Sequence, residues 1–155
     1  MKAITVRQPW AWAIAAGEKL VENRSRGTTY RGPLAIHAGK AWSTRGANDS
    51  RVVLPWATAF GHRLVDVDRV DPDGLERGHV IAVAQLVDSH PDAECCRPWG
   101  ESTYAEGSGR VVTTVHHLVL EDVVSLIWPV EVPGALGLWT VPPHLVDELN
   151  AQTAK

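Results

Sequence analysis

A lysine, a glutamate and an arginine stand at positions 19, 22 and 24, with a further arginine at 31. In an extended segment side chains alternate, so Leu20, Glu22 and Arg24 share one face and Val21 and Asn23 the other. Lys19 sits where a preceding helix gives way to that strand. Arg31 follows across the turn-rich stretch Ser25–Thr29, from which an antiparallel return brings it alongside Arg24. A guanidinium offers a planar fork to phosphate or carboxylate, and an ammonium is a compact charge whose pKa falls readily when buried. Glu22 can hold either cation, accept a hydrogen bond from a base amino group, or serve as a general base. The plain alternative is a structural Glu–Arg pair on a strand face beside an exposed lysine. Such pairs are common and contribute under about 1 kcal/mol.

Aromatic and sulfur- or imidazole-bearing residues add further candidates. Trp10, Trp12, Trp42, Trp99 and Trp139 are candidate stacking surfaces, because an indole on a cleft wall contributes about 1–3 kcal/mol per stacked base. Tryptophan is more often core, so most of the seven are expected to be structural. Trp10, beside the helix end, is the preferred stacker, and Trp139 is placed under the cleft floor. His90, Cys95, Cys96, His116 and His117 suggest zinc, but no C-x-x-C spacing is present and adjacent histidines on a strand point to opposite faces. No metal site and no other cofactor is expected. Neighbouring cysteines do not readily bridge each other, which leaves no disulfide framework and favours a reducing, cytoplasmic setting. There is no Walker loop, no G-x-G-x-x-G and no G-x-S-x-G.

These residues need elements to position them. Ala3–Val6 reads as a strand. Gln8–Gly17 reads as a short helix, with Pro9 in its first turn and Gly17 as a left-handed cap. Trp10, Ala13 and Ile14 share a face of it. Leu20–Arg24 and Leu34–Ala38 read as strands, Val52–Phe60 as a helix around Pro55, and Asp66–Gly78 as a loop. His79–Val87 is an apolar strand and Asp88–Arg110 a long excursion. Val111–Leu120, Val123–Val132 and Leu136–Val141 complete the strands, and Pro142–Ala151 forms a terminal helix. The fold class is α+β, with about five to six mixed strands in a small curved sheet or barrel and flanking helices.

The bulk composition suits one domain over 1–155, with 45% hydrophobic and 21% charged residues. No stretch approaches the roughly 20 apolar residues of a membrane span, and the first residues lack the apolar run of a signal peptide. The net charge of −3 speaks against a nucleic-acid partner, yet it hides an asymmetry. Residues 1–51 carry nine lysines and arginines against three acids, a balance of +6 that leaves −9 on the remainder. A basic face on an acidic body follows, unless folding mixes the charges again.

The ordered set Gln8-Pro-Trp, Gly17-Glu-Lys-x-x-Glu-x-Arg24 and Tyr30-Arg-Gly-Pro-Leu-x-Ile-His-Ala38 resembles the N-terminal signature of the ASCH (activating-signal-cointegrator homology) family. Val132-Pro-Gly-Ala-Leu-Gly-Leu-Trp-Thr140 is similar to that family's closing strand. The matches bracket nearly the whole chain and leave residues 41–78 uninformative. The resemblance implies a PUA-like β-barrel with a cleft beside the first helix, receiving RNA or a nucleotide, and Gln8, Trp10, Lys19, Glu22, Arg24, Arg31 and His37 become the candidate ligand-binding residues. Small bacterial relatives are amidohydrolases of N4-acylated cytidine that use a lysine, a threonine and a glutamate. Lys19 matches the lysine, but Glu22 stands where those enzymes have threonine, so their hydroxyl is missing. Glu101, in Pro98-Trp-Gly-Glu, is the candidate for the remaining acid. Three functions are therefore expected in order: binding of RNA or another single-stranded nucleic acid, hydrolysis of a modified nucleoside by Lys19, Glu22 and Glu101, and protein interaction in transcriptional regulation.

Overall fold

The computed structural model describes residues 1–105 and 109–154. Its order is β1 (Lys2–Gln8), α1 (Trp10–Ala15), β2 (Val21–Arg24), β3 (Gly32–Trp42), α2 (Thr44–Ala47), α3 (Ser50–Ala59), β4 (His79–Pro91), β5 (Tyr104–Ala105), β6 (Val111–Val112), β7 (His116–Glu131), β8 (Leu138–Thr140) and α4 (Pro143–Thr153). Six strands form one mixed sheet in the order β2-β7-β4-β3-β1-β8, in which β1 and β3 run parallel and the other neighbours antiparallel. β5 and β6 make a separate two-stranded ribbon.

The α+β class holds, but the barrel is not closed. β2 and β8 have four and three residues, each pairs with one neighbour, and they lie at opposite edges. The expected strands 111–120 and 123–132 merge from His116 onward into one long β7, while Val111–Val112 form β6 of the separate ribbon. At Glu121-Asp122, the gap between the two expected strands, the chain passes through a left-handed irregularity, with Asp122 at φ 47°, and pairing to β4 resumes with shifted register. The helix over 50–59 and the loop over 66–78 lie where expected. In the 88–110 stretch, β4 runs on to Pro91 and β5 forms at Tyr104–Ala105, while residues 106–108 lie outside the described residues.

Both sheet faces are covered. Ile4, Val6, Leu34, Ile36, Leu86, Leu118 and Leu120 pack with Ala11 and Ile14 of α1. Ala3, Ala35, Val80, Val83 and Val130 pack on the other side with Leu149 of α4. Helix α1 has six residues, far short of the 12–15 or so an isolated helix needs. Burial of Ile14, worth about 1.5–3 kcal/mol, and of Ala11 and Ala13 holds it in place. A third cluster around Val52, Trp56 and Val70 anchors α2, α3 and the following loop. Where β7 leaves β4's register near Trp128, the Gln152 side chain of α4 both accepts from the Trp128 amide (2.9 Å) and donates to its carbonyl (3.0 Å). Among the described residues no helix is long and apolar enough to cross a membrane.

Candidate nucleic-acid interface

Gly17, at φ 79°, reverses the chain after α1, as its position predicts. The Glu18 and Lys19 amides then close onto the Ala13 carbonyl. This turn carries Lys19 inward, to 4% exposure. Its ammonium donates to Glu22 Oε2 at 2.7 Å and to the Val21 carbonyl. Glu22 and Arg24 share a face of β2 as alternation requires, with Arg24 Nε 3.3 Å from Glu22 Oε1. Arg24 also donates to the Thr5 carbonyl of β1 at 2.7 Å. Burial pushes the Glu22 carboxyl up. The neighbouring Lys19 and Arg24 charges outweigh that and hold it below its ordinary value. A half-exposed surface pair does not describe this arrangement: one carboxylate is clamped between two cations, one of them buried.

Trp10 forms the next layer. Its indole N–H donates to Ser43 Oγ at 3.0 Å, and the Arg45 guanidinium lies over its ring at 5.2 Å, with Lys19 at 5.9 Å. Ser43 also accepts from the Gly46 amide and so caps α2. Gly46 is required here: a Cβ at this position would come within 2.7 Å of the Trp10 ring. Trp99 meets Trp10 edge-on at 6.3 Å and carries Arg51 over its own face at 4.5 Å. Asp49 caps α3 and grips Arg51 at 2.6 Å. Arg45 reaches both carboxylate oxygens of Glu101 at 2.9 Å. Asn23, on the other face of β2, donates to the Trp99 carbonyl and accepts from the Glu101 amide, both at 2.9 Å. One side chain thus docks the 97–101 loop against β2.

The structure therefore brings together Trp10, Lys19, Glu22, Arg24 and, through Arg45, Glu101. The other expected residues are engaged elsewhere. Gln8 is buried, donating to the Glu76 carbonyl and accepting from the Trp12 amide. His37 is buried against Trp139 and donates from Nε2 to the Val132 carbonyl, and burial holds its pKa below the ordinary value. Arg31 pairs with Asp88 at 2.9 Å and donates to the Thr28 and Tyr30 carbonyls. Sequence reasoning counts Arg45 and Arg51 only as charge and leaves Asn23 on the far face of the strand. The signal available for the arginines is their place around a Ser-x-x-Gly and an Asp helix cap.

Beyond Asn23 lies a second cluster. His90 of β4, Cys95 and Cys96 of the loop, and His117 of β7 each present a donor atom within 4.8 Å of the others. The sequence reading expects no metal site from these residues, yet the fold gathers four of the five. Spacing along the chain misses it because His90 and His117 lie directly opposite on paired strands. His116, as expected of alternation, faces away, against Gly27. Both cysteines are free thiols. Burial, then Cys95 and the nearby Asp88 and Asp92, raises the Cys96 thiol above its ordinary value.

The ASCH domain profile matches residues 4–114. The chain belongs to the ASCH family. This ASCH chain is similar in structure to ASCH from Zymomonas mobilis, at TM-score 0.56 and 14% identity over 97% of this chain and 93% of that one. A Tyr-to-Phe mutant of the Zymomonas mobilis protein matches at TM-score 0.55 and 13% identity, covering 97% and 96%. A Ser-to-Ala mutant matches at TM-score 0.55 and 14% identity, covering 97% and 94%. At such identities the likeness is one of fold. No curated protein sequence matches the chain. The family read from the motifs is thus shown, with the N-terminal motifs inside the matched residues and the closing motif at 132–140 beyond them.

Proposed function

We propose that this ASCH domain binds single-stranded RNA on the face built from Trp10, Trp99, Lys19, Arg24, Arg45 and Arg51. The observation that carries the reading is the pair of indoles, each with a guanidinium over its ring, beside a buried lysine. Indole faces accept bases of any identity, and cations alongside them follow the phosphate backbone. Glu22, Glu101 and Asp49 hold the cations in place and offer carboxylates to base amino groups.

The test is a tryptophan-fluorescence titration with single-stranded RNA, duplex RNA, single-stranded DNA and N4-acetylcytidine. Quenching by single strands that weakens as salt rises supports the proposal. No quenching by any oligonucleotide, or affinity independent of salt, overturns it. Saturation by the nucleoside alone would point to the hydrolase reading, in which Lys19 and Glu22, already 2.7 Å apart, act on the acyl group. Turnover lost in Lys19→Ala would then establish it.

A further inference from the structure

We infer that His90, Cys95, Cys96 and His117 form a structural zinc site that fixes the loop carrying Trp99 and Glu101. The donor distances are Cys95 Sγ to His117 Nδ1 3.7 Å and Cys96 Sγ to His90 Nε2 3.6 Å, with all four donor atoms within 4.8 Å of one another. With Zn–S near 2.3 Å and Zn–N about 2.0–2.1 Å, a tetrahedral ion spaces its ligand atoms by roughly 3.3–3.8 Å. The four donors need only small inward shifts to enclose it.

The outer hydrogen bonds supply an independent argument. His117 Nε2 lies 2.9 Å from the Glu101 carbonyl, and His90 Nδ1 lies 2.8 Å from the Pro91 carbonyl. A carbonyl only accepts, so each of these nitrogens carries the proton. The other nitrogen of each ring is left as a lone pair, and in both rings that nitrogen is the one nearest a cysteine sulfur. Metal-ligating histidines are oriented by carbonyl and carboxylate partners in this way. Asp92 adds a carboxylate oxygen 3.5 Å from His117 Nε2.

The backbone is committed to the same end. Glu94 and Cys96 are both left-handed, at φ 58° and 62°, conformations that cost a side-chain-bearing residue about 1–2 kcal/mol. They turn two adjacent thiols, which would otherwise diverge, toward one point. Gly100 then lies over the cluster, where a Cβ would meet the Cys95 carbonyl oxygen, the Cys96 Cβ and the His117 ring within 2.8 Å. Two sulfurs and two imidazoles in tetrahedral array select zinc among common divalent ions, and four protein ligands leave no open position for catalysis. Binding releases two thiol protons to solvent, and the two thiolates neutralise the dication. The site does not depend on what the neighbouring face binds.

The experiment uses the untagged full chain, expressed with zinc and dialysed, for metal analysis by mass spectrometry. It is followed by chelator stripping and titration with cobalt(II). One zinc per chain, and a cobalt complex showing tetrahedral visible bands with a thiolate-to-metal charge-transfer band, are the expected results. Cys96→Ser and His90→Ala should each weaken cobalt binding by at least about 100-fold, whereas His116→Ala leaves it intact. Substoichiometric zinc, an octahedral cobalt spectrum, or binding unchanged in Cys96→Ser overturns the site. So does isolation of the metal-free chain with Cys95 and Cys96 oxidised. The cobalt spectrum of the unaltered protein decides the matter even if a variant fails to fold.

Discussion

Two polar clusters flank Asn23, and they are assembled by opposite means. Lys19, Glu22 and Arg24 come from six consecutive positions, where a glycine cap and strand alternation place them together. The donors His90, Cys95, Cys96 and His117 span 28 positions and meet through cross-strand register and a loop with two left-handed residues. The first is held by charge, with a carboxylate between cations. The second brings two thiols and two imidazoles within 4.8 Å of one another with no ion pair between its four members. Charge balance explains the one without a ligand; the zinc inferred above would hold the other together.

The comparison can be broken most severely at the metal. Chelation should remove stabilisation of about 4 kcal/mol at a thousandfold excess of zinc over its dissociation constant. In a domain of this size that is a fall of roughly 10 °C in melting temperature, read by calorimetry with and without chelator. The same chelation should leave the Lys19–Glu22 coupling unchanged.

Next is the ion pair. Lys19→Met leaves a clamped carboxylate short of its buried partner and should cost about 3 kcal/mol in denaturant unfolding. The double variant Lys19→Met, Glu22→Gln should cost less than the sum of the two singles, a coupling that a mutant cycle measures. Asn23→Ala, which unties the loop from β2, should cost about 1–2 kcal/mol. It should change Trp99 fluorescence without releasing metal. Arg45→Ala or Arg24→Ala should weaken RNA binding and lower the logarithmic salt dependence by about one unit, with stability nearly unchanged for the more exposed Arg45.

The smallest effect is in acid. Burial holds His37 below its ordinary value, so the unfolded chain takes up a proton near pH 6.5 that the folded chain refuses. Stability should decline from about pH 6.5 downward, and His37→Gln should flatten that slope. Glu22 has the same sign of proton preference, expressed in a lower pH window. Its depressed pKa contributes stability that is complete above about pH 4.3 and lost only as pH falls through the folded value. The two contributions are separable in a pH series of melting curves.

What can be read from the sequence divides along the same line. Gly17 and the alternation from 20 to 24 are local signals, and they place Lys19, Glu22 and Arg24 correctly without any tertiary information. Gln8 and His37 are legible as polar residues within a motif but not as buried ones, because burial is decided by Glu76, Val132 and Trp139, all distant in sequence. Arg31 fails to join Arg24 because Asp88, on β4, holds it. The break between the two expected strands, at Glu121-Asp122, is a left-handed irregularity within one strand, since pairing with β4 continues on both sides of it. The histidine–cysteine set is invisible for the same reason: its spacing is a property of strand register, not of chain distance.

The Gln152 amide beside Trp128 bears on behaviour at high concentration. Ile127 and Trp128 expose 75% and 73% of their surface at the point where β7 slips out of step with β4. An unpaired backbone there, flanked by two large apolar side chains, is a template on which another chain can grow a strand. By occupying both backbone groups of Trp128, a single glutamine stands in for the missing neighbour and denies that template to a second molecule. The terminal helix thus contributes to colloidal stability through a side chain that adds nothing to the core.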